Sequence, residues 1–225
     1  MPLNSYSIEW SEQGVPLTGE LTPAWERATP VELASFNWYK SGAKPLTTAR
    51  ALYDDRNLYL RFEVEDEYIS SSVTELNGPT YQDSCVEFFT TPGTDPTDPY
   101  LNFEANCCGF FKLAWQEPGW RERDIGRDLI SEELAADINA STSIKDNTKA
   151  PAPSDDGWWL TAEIPFDVLS SFTGRNISPT SGTRWRGNFH RTGVRTPSQK
   201  ASWNPIEMAE PAFHTPDHFG EFVFR

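Results

Sequence analysis

The sequence predicts an all-β fold, a sandwich or jelly roll of antiparallel strands with one or two short helices. Several short segments alternate apolar and polar residues, which is the period of a strand buried on one face. Turn-forming residues separate these segments, and the 225 residues include 18 Pro and 14 Gly. No break in composition divides the chain, so we predict a single domain over residues 1–225.

The composition suits a core built from large rings. Apolar residues make up only 37% of the chain, but they include 9 Trp, 14 Phe and 7 Tyr. The three cysteines, at positions 85, 107 and 108, are a poor disulfide framework and are expected to be thiols. The first residues, MPLNSYSIEW, have neither a basic start nor an apolar run. They predict no signal peptide or membrane span, and hence a cytoplasmic location unless a leader was trimmed.

The formal net charge of −14 bears on the class of ligand. Such a charge repels nucleic acid, anionic membranes and acidic glycans, and it leaves a neutral or cationic ligand open. The alternative interpretation is that the acidity only confers solubility.

The clearest local prediction is a β-hairpin. The segment TARALY precedes a polar turn, Asp54 to Asn57, and the alternating segment NLYLRFEVED follows it. The apolar face of the second strand consists of Leu58, Leu60, Phe62 and Val64. The first fifty residues are expected to be loosely structured, with Trp25 and Trp38 capping one end of the sandwich.

Three further strands carry polar side chains opposite an apolar face: CVEFF, YLNFEAN and RWRGNFHR. Strand parity places the following side chains on outward faces: Glu87, Asn102, Glu104, Asn188 and His190. If these strands are neighbours, the polar side chains form one patch. A short helix is expected to begin near Ser131, and the segment WWLTAEIPFDVL indicates a strand followed by a helical turn.

Seven segments in order resemble the family-9 carbohydrate-binding modules and the broader DOMON-like sandwich group. They are LYDDRNLYLRFEVED, YQDSCVEFF, YLNFEAN with the glycine after it, WWLTAEIPF, WRGNFHR, SW and FHTPDHFGEFVF. The resemblance extends from about residue 19 to the end and is nearest to a stand-alone "family-9-like" branch. It implies a β-sandwich that binds a neutral mono- or oligosaccharide without catalysis, with a glycoside hydrolase as a partner in the same pathway.

The resemblance also implies a site. In the sugar-binding members two aromatic rings clamp a sugar while polar groups bind its hydroxyls. In this sequence Tyr81 and Trp203 match the two rings, and Glu87 matches the glutamate on the strand. Two positions depart from the pattern, because the first ring of those modules is a tryptophan and Glu104 aligns with a strand arginine. We therefore predict loop-borne walls formed by Tyr81 and Trp203 around the polar patch.

Other interpretations stay open at this point. Trp203 could cover an edge of the core instead of a ligand. Glu87 and Glu104 could be the acid and base of a glycoside-processing enzyme, with carboxyls about 5–5.5 Å apart for retention or about 6.5–9.5 Å for inversion. A haem- or metal-binding DOMON-like domain would need axial ligands such as Met208 and His190. No cofactor is required, although the family's modules often carry calcium and a structural calcium ion is an alternative.

Overall fold

The computed structural model describes residues 3–193 and 199–225, which fold into two packed β-sheets. The strands are β1 Ser5–Trp10, β2 Val31–Glu32, β3 Thr47–Tyr53, β4 Asn57–Val64, β5 Cys85–Thr91, β6 Tyr100–Asn106, β7 Phe111–Gln116, β8 Asp128–Leu129, β9 Asn139–Thr142, β10 Trp158–Pro165, β11 Arg184–Thr192, β12 Ala201–Ser202 and β13 Gly220–Phe224. The helices are α1 Pro23–Glu26, α2 Glu132–Ala135 and α3 Phe166–Thr173, with 3-10 turns at Thr80–Gln82 and Pro216–His218.

The two sheets meet at the first strand. The front sheet has the order β8-β7-β6-β5-β11-β13-β1, with β12 beside β11. The back sheet has the order β1-β3-β4-β10-β9, with β2 beside β3. The first half of β1 pairs in parallel with β13 and its second half pairs in parallel with β3. The all-β sandwich is therefore confirmed, with the differences that β1 pairs in parallel and that the described residues form three short α-helices.

The N-terminal region is more ordered than predicted. The segment SYSIEW forms β1, and Tyr6 and Ile8 are buried in the core. The hydroxyl oxygen of Tyr6 accepts a hydrogen bond of 2.9 Å from the backbone N–H of Ala51. Trp25 is fully buried in a small separate cluster that includes Leu52 and Tyr59. The prediction of a loosely structured start is thus wrong for β1, whose alternation is short but real.

Two local predictions are confirmed. Strands β3 and β4 form the expected hairpin, and the carboxylate of Asp54 accepts the backbone N–H groups of Arg56 and Asn57 at 2.8 and 2.7 Å. Helix α2 begins after Ser131, whose hydroxyl oxygen accepts the N–H of Leu134 at 3.3 Å. In both places a short polar side chain satisfies backbone donors that the turn or helix end leaves free. No helix in the described part of the chain has the length and apolarity needed to cross a bilayer.

The core between the sheets is a network of rings. Phe189 lies 5.1 Å from Phe222 and 5.4 Å from Phe88, measured between ring centroids. Trp203 stacks on Phe222 with a centroid separation of 5.5 Å and an interplanar angle of 15°. These rings come from the inner face of the front sheet and from the loop that follows β12. They supply the large apolar area that a chain with few aliphatic residues needs.

The outer face of the front sheet is also buried, which differs from the expectation of outward patches. Every residue of β5 and β6 is buried, including Asn102 and Glu104. A second ring cluster covers this face: Phe89 and Tyr100 from the strands pack with Ile206, Phe213 and Phe219 from the C-terminal segment. The polar residues of these strands therefore lie under a loop layer instead of facing bulk water.

Candidate functional site

Strand register brings the predicted glutamates together. Glu87 in β5 is paired directly with Glu104 in β6 and, on its other side, with His190 in β11. Glu104 is paired in turn with Lys112 in β7. Side chains at directly paired positions of one face are neighbours. The sheet thus carries a cross-strand polar row, defined here as His190, Glu87, Glu104 and Lys112.

A cleft of about 350 Å³ lies over the middle of this row. Glu87 and Glu104 line it from the sheet, and Tyr81, Phe213 and His214 line it from loops. Four cationic side chains also line the cleft: Lys112, Arg121, Arg127 and Lys200. Larger hollows occur elsewhere, including one of about 560 Å³ beside Trp10. The smaller cleft is the better candidate because convergent polar groups and a perturbed carboxyl mark functional sites.

The carboxyl of Glu87 is strongly perturbed. Burial raises its pKa to about 8, and the negative charge of Glu104 adds to this effect. The hydroxyl of Thr192 donates a hydrogen bond of 2.9 Å to Oε1 of Glu87, which acts in the opposite direction. At neutral pH the side chain of Glu87 is therefore mainly protonated, and it presents both a donor and an acceptor to the cleft.

Glu104 has a different partner. Its Oε2 atom accepts a hydrogen bond from Nζ of Lys112 at 3.4 Å, and both side chains are almost completely buried. Removing either partner would leave a buried charge without compensation. The two carboxyls at the floor of the cleft thus differ in chemistry, since Glu87 favours the neutral form and Glu104 is ion-paired.

Tyr81 lies at the edge of the cleft, with 47% of its surface exposed. It belongs to the 3-10 turn Thr80–Gln82, and the hydroxyl of Thr80 donates to the backbone carbonyl of Glu104 at 3.4 Å. Asp83, which follows the turn, accepts a hydrogen bond of 2.9 Å from the side chain of Asn106 in β6. The ammonium of Lys112 lies 5.4 Å from the centre of the Tyr81 ring. Contacts of the residues before and after Tyr81 therefore hold the turn that carries this ring at the cleft.

Trp203, the second predicted ring, is not at the cleft. It is only 8% exposed and belongs to the core cluster on the inner face of the front sheet. A Cβ atom at Gly220 would lie 2.5 Å from a ring carbon of Trp203, so this glycine provides the space that the indole fills. The prediction that Trp203 forms a wall of the binding site is therefore wrong, because its ring packs in the core. The ring that does line the cleft from the C-terminal segment is Phe213.

Asn188 and Asn102 are also absent from the cleft lining. Asn188 is fully buried, and its carboxamide donates to the carbonyl of Asn204 at 3.0 Å and accepts the N–H of Asn204 at 2.8 Å. It therefore holds the loop after β12 against the sheet. Asn102 is fully buried beside Phe89. The outward direction predicted for both side chains is correct, but the loop layer separates them from the cleft.

His190 lies beneath the cleft lining. Its ring stacks on Phe213 with a centroid separation of 4.2 Å and an angle of 16°, and burial lowers its pKa to about 3. His214, which does line the cleft, is within hydrogen-bond distance of Tyr100 and Gln116, at 2.9 and 3.0 Å from Nδ1. Burial also lowers the pKa of His214 well below its usual range. Both imidazoles are therefore neutral at physiological pH, and they pack against the aromatic rings of Phe213 and Phe89.

Of the seven site residues predicted from the sequence, three line the cleft: Tyr81, Glu87 and Glu104. The prediction did not include the other lining residues Phe213 and His214, nor the four cationic side chains of the cleft. Lys112 has a signal in the sequence, because the tight turn between β6 and β7 places it opposite Glu104. Arg121, Arg127 and Lys200 come from loops whose course no periodicity predicts.

A metal ion and haem are the other ligands that the sequence leaves open. Within 3–193 and 199–225, no group of three or more His, Cys, Asp or Glu side chains is arranged to hold a metal ion. Met208, one nominal haem ligand, is 44% exposed, whereas His190 is fully buried beneath Phe213.

The fold is a β-sandwich with a polar cleft on the covered face of one sheet. The sequence matches the profile of Carbohydrate-binding family 9 over residues 23–224, and the chain belongs to that family.

The fold and the sequence are also similar to those of other proteins. The fold is similar to a crystal structure of a protein from Bacteroides uniformis, provisionally described as carbohydrate-binding. The identity is 25%, all of both chains is covered and the TM-score is 0.85. It also resembles a family 9 module from Caldicellulosiruptor kristjanssonii solved with glucose, at 16% identity over 99% of this chain and 96% of the module, with a TM-score of 0.65. A protein of Arthroderma benhamiae named "Extracellular protein" is 27% identical over 191 residues, which are 80% of this chain and 79% of that protein.

Proposed function

We propose that this protein binds a saccharide, without chemically changing it, in the cleft over Glu87 and Glu104. The observation that carries the proposal is the exposed ring of Tyr81 in a cleft of about 350 Å³ that two buried carboxyls line, one bonded to Thr192 and the other ion-paired with Lys112. Membership of Carbohydrate-binding family 9 supports it. So do the related modules that were solved in complex with glucose and with cellotriose.

The chemistry of a pyranose fits these groups. One face of the sugar consists of C–H bonds, which an aromatic ring such as Tyr81 buries favourably. The hydroxyls at the rim both donate and accept hydrogen bonds. Protonated Glu87 supplies a donor and an acceptor, Glu104 supplies acceptors, and Lys112 supplies donors. A hydroxyl that is absent or inverted would leave one of these buried groups unpaired, at a cost of about 1–3 kcal/mol.

A second candidate function has one observation in its favour. A carboxyl of raised pKa beside a second carboxyl is the kind of arrangement by which glycosidases assign an acid and a base. Here, however, Lys112 holds the carboxylate of Glu104. Incubation with a panel of oligosaccharides tests this alternative, because release of reducing ends that Glu87→Gln abolishes would establish catalysis.

Calorimetric titration with glucose and cellotriose tests the binding proposal. Tyr81→Ala should weaken affinity about tenfold, because loss of a stacked face removes roughly 1–1.5 kcal/mol. Tyr39→Ala is the matched control: Tyr39 is 38% exposed and has a lysine 4.2 Å from its ring centre, but it does not line the cleft. Equal effects of the two substitutions, or no saccharide binding by the unaltered protein, would contradict the proposal.

A non-catalytic binder has a natural partner in an enzyme that cleaves the same glycan, so we extend the proposal to a glycoside hydrolase acting in the same pathway. Adding the protein to such a hydrolase should change the rate of product release from an insoluble glycan. Tyr81→Ala should produce a smaller change at the same protein concentration, and no change with the unaltered protein would contradict this extension.

A further inference from the structure

The charge around the cleft is opposite to that of the whole molecule. The protein has a formal net charge of −14, yet four cationic side chains line the cleft together with only two carboxyls. Lys112 is paired with Glu104. The other three cations are Arg121, Arg127 and Lys200, and among residues 3–193 and 199–225 no carboxylate lies within ion-pair distance of them. Residues 1–2 and 194–198 contain no Asp or Glu.

These cations are held in place by aromatic rings. The guanidinium carbons of Arg121 and Arg127 lie 4.9 and 4.8 Å from the centre of the Trp120 ring. The ammonium of Lys200 lies 5.6 Å from the centre of the Phe213 ring. Contact with a ring face orients a cation and removes part of its hydration, but it does not neutralise its charge. Like charges gathered in a partly desolvated cleft repel each other, and an anion between them would relieve that repulsion.

Burial supports this description. Arg127 is half-buried, and this burial lowers its pKa; the charge of Glu104 acts in the opposite direction, and the nearby charge of Arg121 adds to the effect of burial. In a protein with 33 acidic and 19 basic residues, three cations at one cleft without an ion-paired carboxylate among the described residues form a local positive charge that an anion can bind. Planar guanidiniums bind carboxylates and phosphates in a bidentate manner, which a neutral hydroxyl does not reproduce.

We propose that the saccharide bound in this cleft carries an anionic group, which Arg121, Arg127 and Lys200 bind while Tyr81 and the glutamates hold the sugar ring. This inference rests on the proposed function and specifies its ligand class. It replaces the neutral ligand that the net charge favours, since charges beyond about 8 Å are largely screened at physiological salt and the local cations dominate. A single anionic group fits better than a long polyanion, which the acidic remainder of the surface would repel.

Calorimetry with ligands that share one ring tests the inference: glucose, glucuronate, glucose 6-phosphate and glucose 6-sulfate, with inorganic phosphate as the anion alone. At least one anionic sugar should bind ten or more times as tightly as glucose, and the ratio should shrink as salt is raised. The sugar that gains most identifies the source of the charge. In the double variant Arg121→Gln/Arg127→Gln this preference should fall at least fivefold.

Arg123→Gln is the matched control. Arg123 lies in the same loop, but it is exposed, pairs with Glu117 at 2.8 Å and does not line the cleft. It should leave the preference unchanged.

The outcomes separate the two proposals. If glucose binds at least as tightly as every anionic sugar, the inference fails and the proposed function stands. A preference that survives in the double variant would overturn the site assigned to the anion. If none of the sugars binds, or if inorganic phosphate alone binds, both proposals fail.

Discussion

The two faces of the front sheet are equally buried but are held in different ways. Along β11, Phe189 points into the sandwich and its neighbours Asn188 and His190 point to the outer face; all three are fully inaccessible to solvent. The inner face meets other rings, among them Trp203 and Phe222. The outer face meets polar partners and the ring-bearing segment around Phe213.

The difference shows what makes a site in this fold. On the inner face stability comes from close packing, so that a ligand has no place to enter. On the outer face the polar row is covered by loops, and the cleft forms where that cover is incomplete, above Glu87 and Glu104. A side chain that points away from the core is therefore not automatically in solvent or at the site. The following predictions test this contrast, from the largest expected effect to the smallest.

The core ring should dominate stability. Trp203→Ala should lower the free energy of unfolding by about 3–5 kcal/mol, because it removes a large buried ring and leaves a cavity. Urea denaturation measures the loss. Trp10→Ala, at an indole that is 37% exposed, is the control and should cost much less. If Trp203→Ala abolished ligand binding by folded protein at unchanged stability, the contrast between the faces would be broken.

The buried carboxyl of the outer face should make stability depend on pH. The folded-state pKa of Glu87 is about 8, above its ordinary value of 4.5, so the folded protein holds more protons than the unfolded chain between these pH values. Glu87 therefore costs stability progressively as the pH rises from about 4.5 to about 8. Glu87→Gln does not titrate, and its stability relative to the unaltered protein should increase by roughly 3–4 kcal/mol from about pH 5 to about pH 8.

Denaturant unfolding at several pH values measures this difference. Thr192→Val is a useful companion, because it removes the hydroxyl that donates to the Glu87 carboxyl and should enlarge the pH dependence. A stability difference that stays constant over the whole pH range would show that Glu87 is not held in its neutral form.

The hydrogen bonds that hold the C-terminal loop layer on the outer face should contribute less to the free energy of unfolding than the ring of Trp203. Asn188→Ala leaves the N–H and carbonyl of Asn204 without their side-chain partners and should cost about 1–3 kcal/mol. Asn139→Ala, at an exposed residue bonded to Glu163, is the control and should cost about 0.5 kcal/mol or less. Chemical denaturation compares the two variants, and equal losses of stability would mean that Asn188 does not hold the loop layer against the sheet.

The exposed ring should contribute least to stability. Tyr81→Ala should change the free energy of unfolding by about 0.5 kcal/mol or less, because nearly half of the ring is already in solvent. Its effect should instead appear in saccharide affinity. A loss of stability as large as that of Asn188→Ala would indicate that Tyr81 belongs to the loop layer that packs on the sheet and not to the binding surface.

Strand alternation allowed much of the sheet to be predicted from the sequence. The apolar faces of β4, β5 and β6 and the hairpin at Asp54 follow from a period of two, and the Ser131 cap follows from local hydrogen bonding. The polar row follows as well, once the strands are taken as neighbours. What the pattern does not contain is the second layer, since the segment bearing Phe213 and Phe219 has no periodicity to show that it covers Glu87.

The misplaced tryptophan illustrates the same gap. Trp203 lies among polar neighbours in sequence, which suggests an exposed loop. In the structure the preceding Ser202 pairs with His190 in β11, and this register turns the indole toward Phe222. The space it fills depends on Gly220, which is distant in sequence. Loop cations such as Arg121 and Arg127 were missed for a similar reason, because their convergence depends on tertiary contacts with Trp120.

Strand β1 runs parallel to β13, from Ser5 beside Glu221 to Ile8 beside Phe224. A force that pulled the chain before β1 and the chain after β13 apart would act along this ladder in shear. Its hydrogen bonds would then have to rupture together instead of opening one by one from an end. The pairing of the first and last strands therefore joins the two ends of the fold by a ladder that such a force would load as a whole.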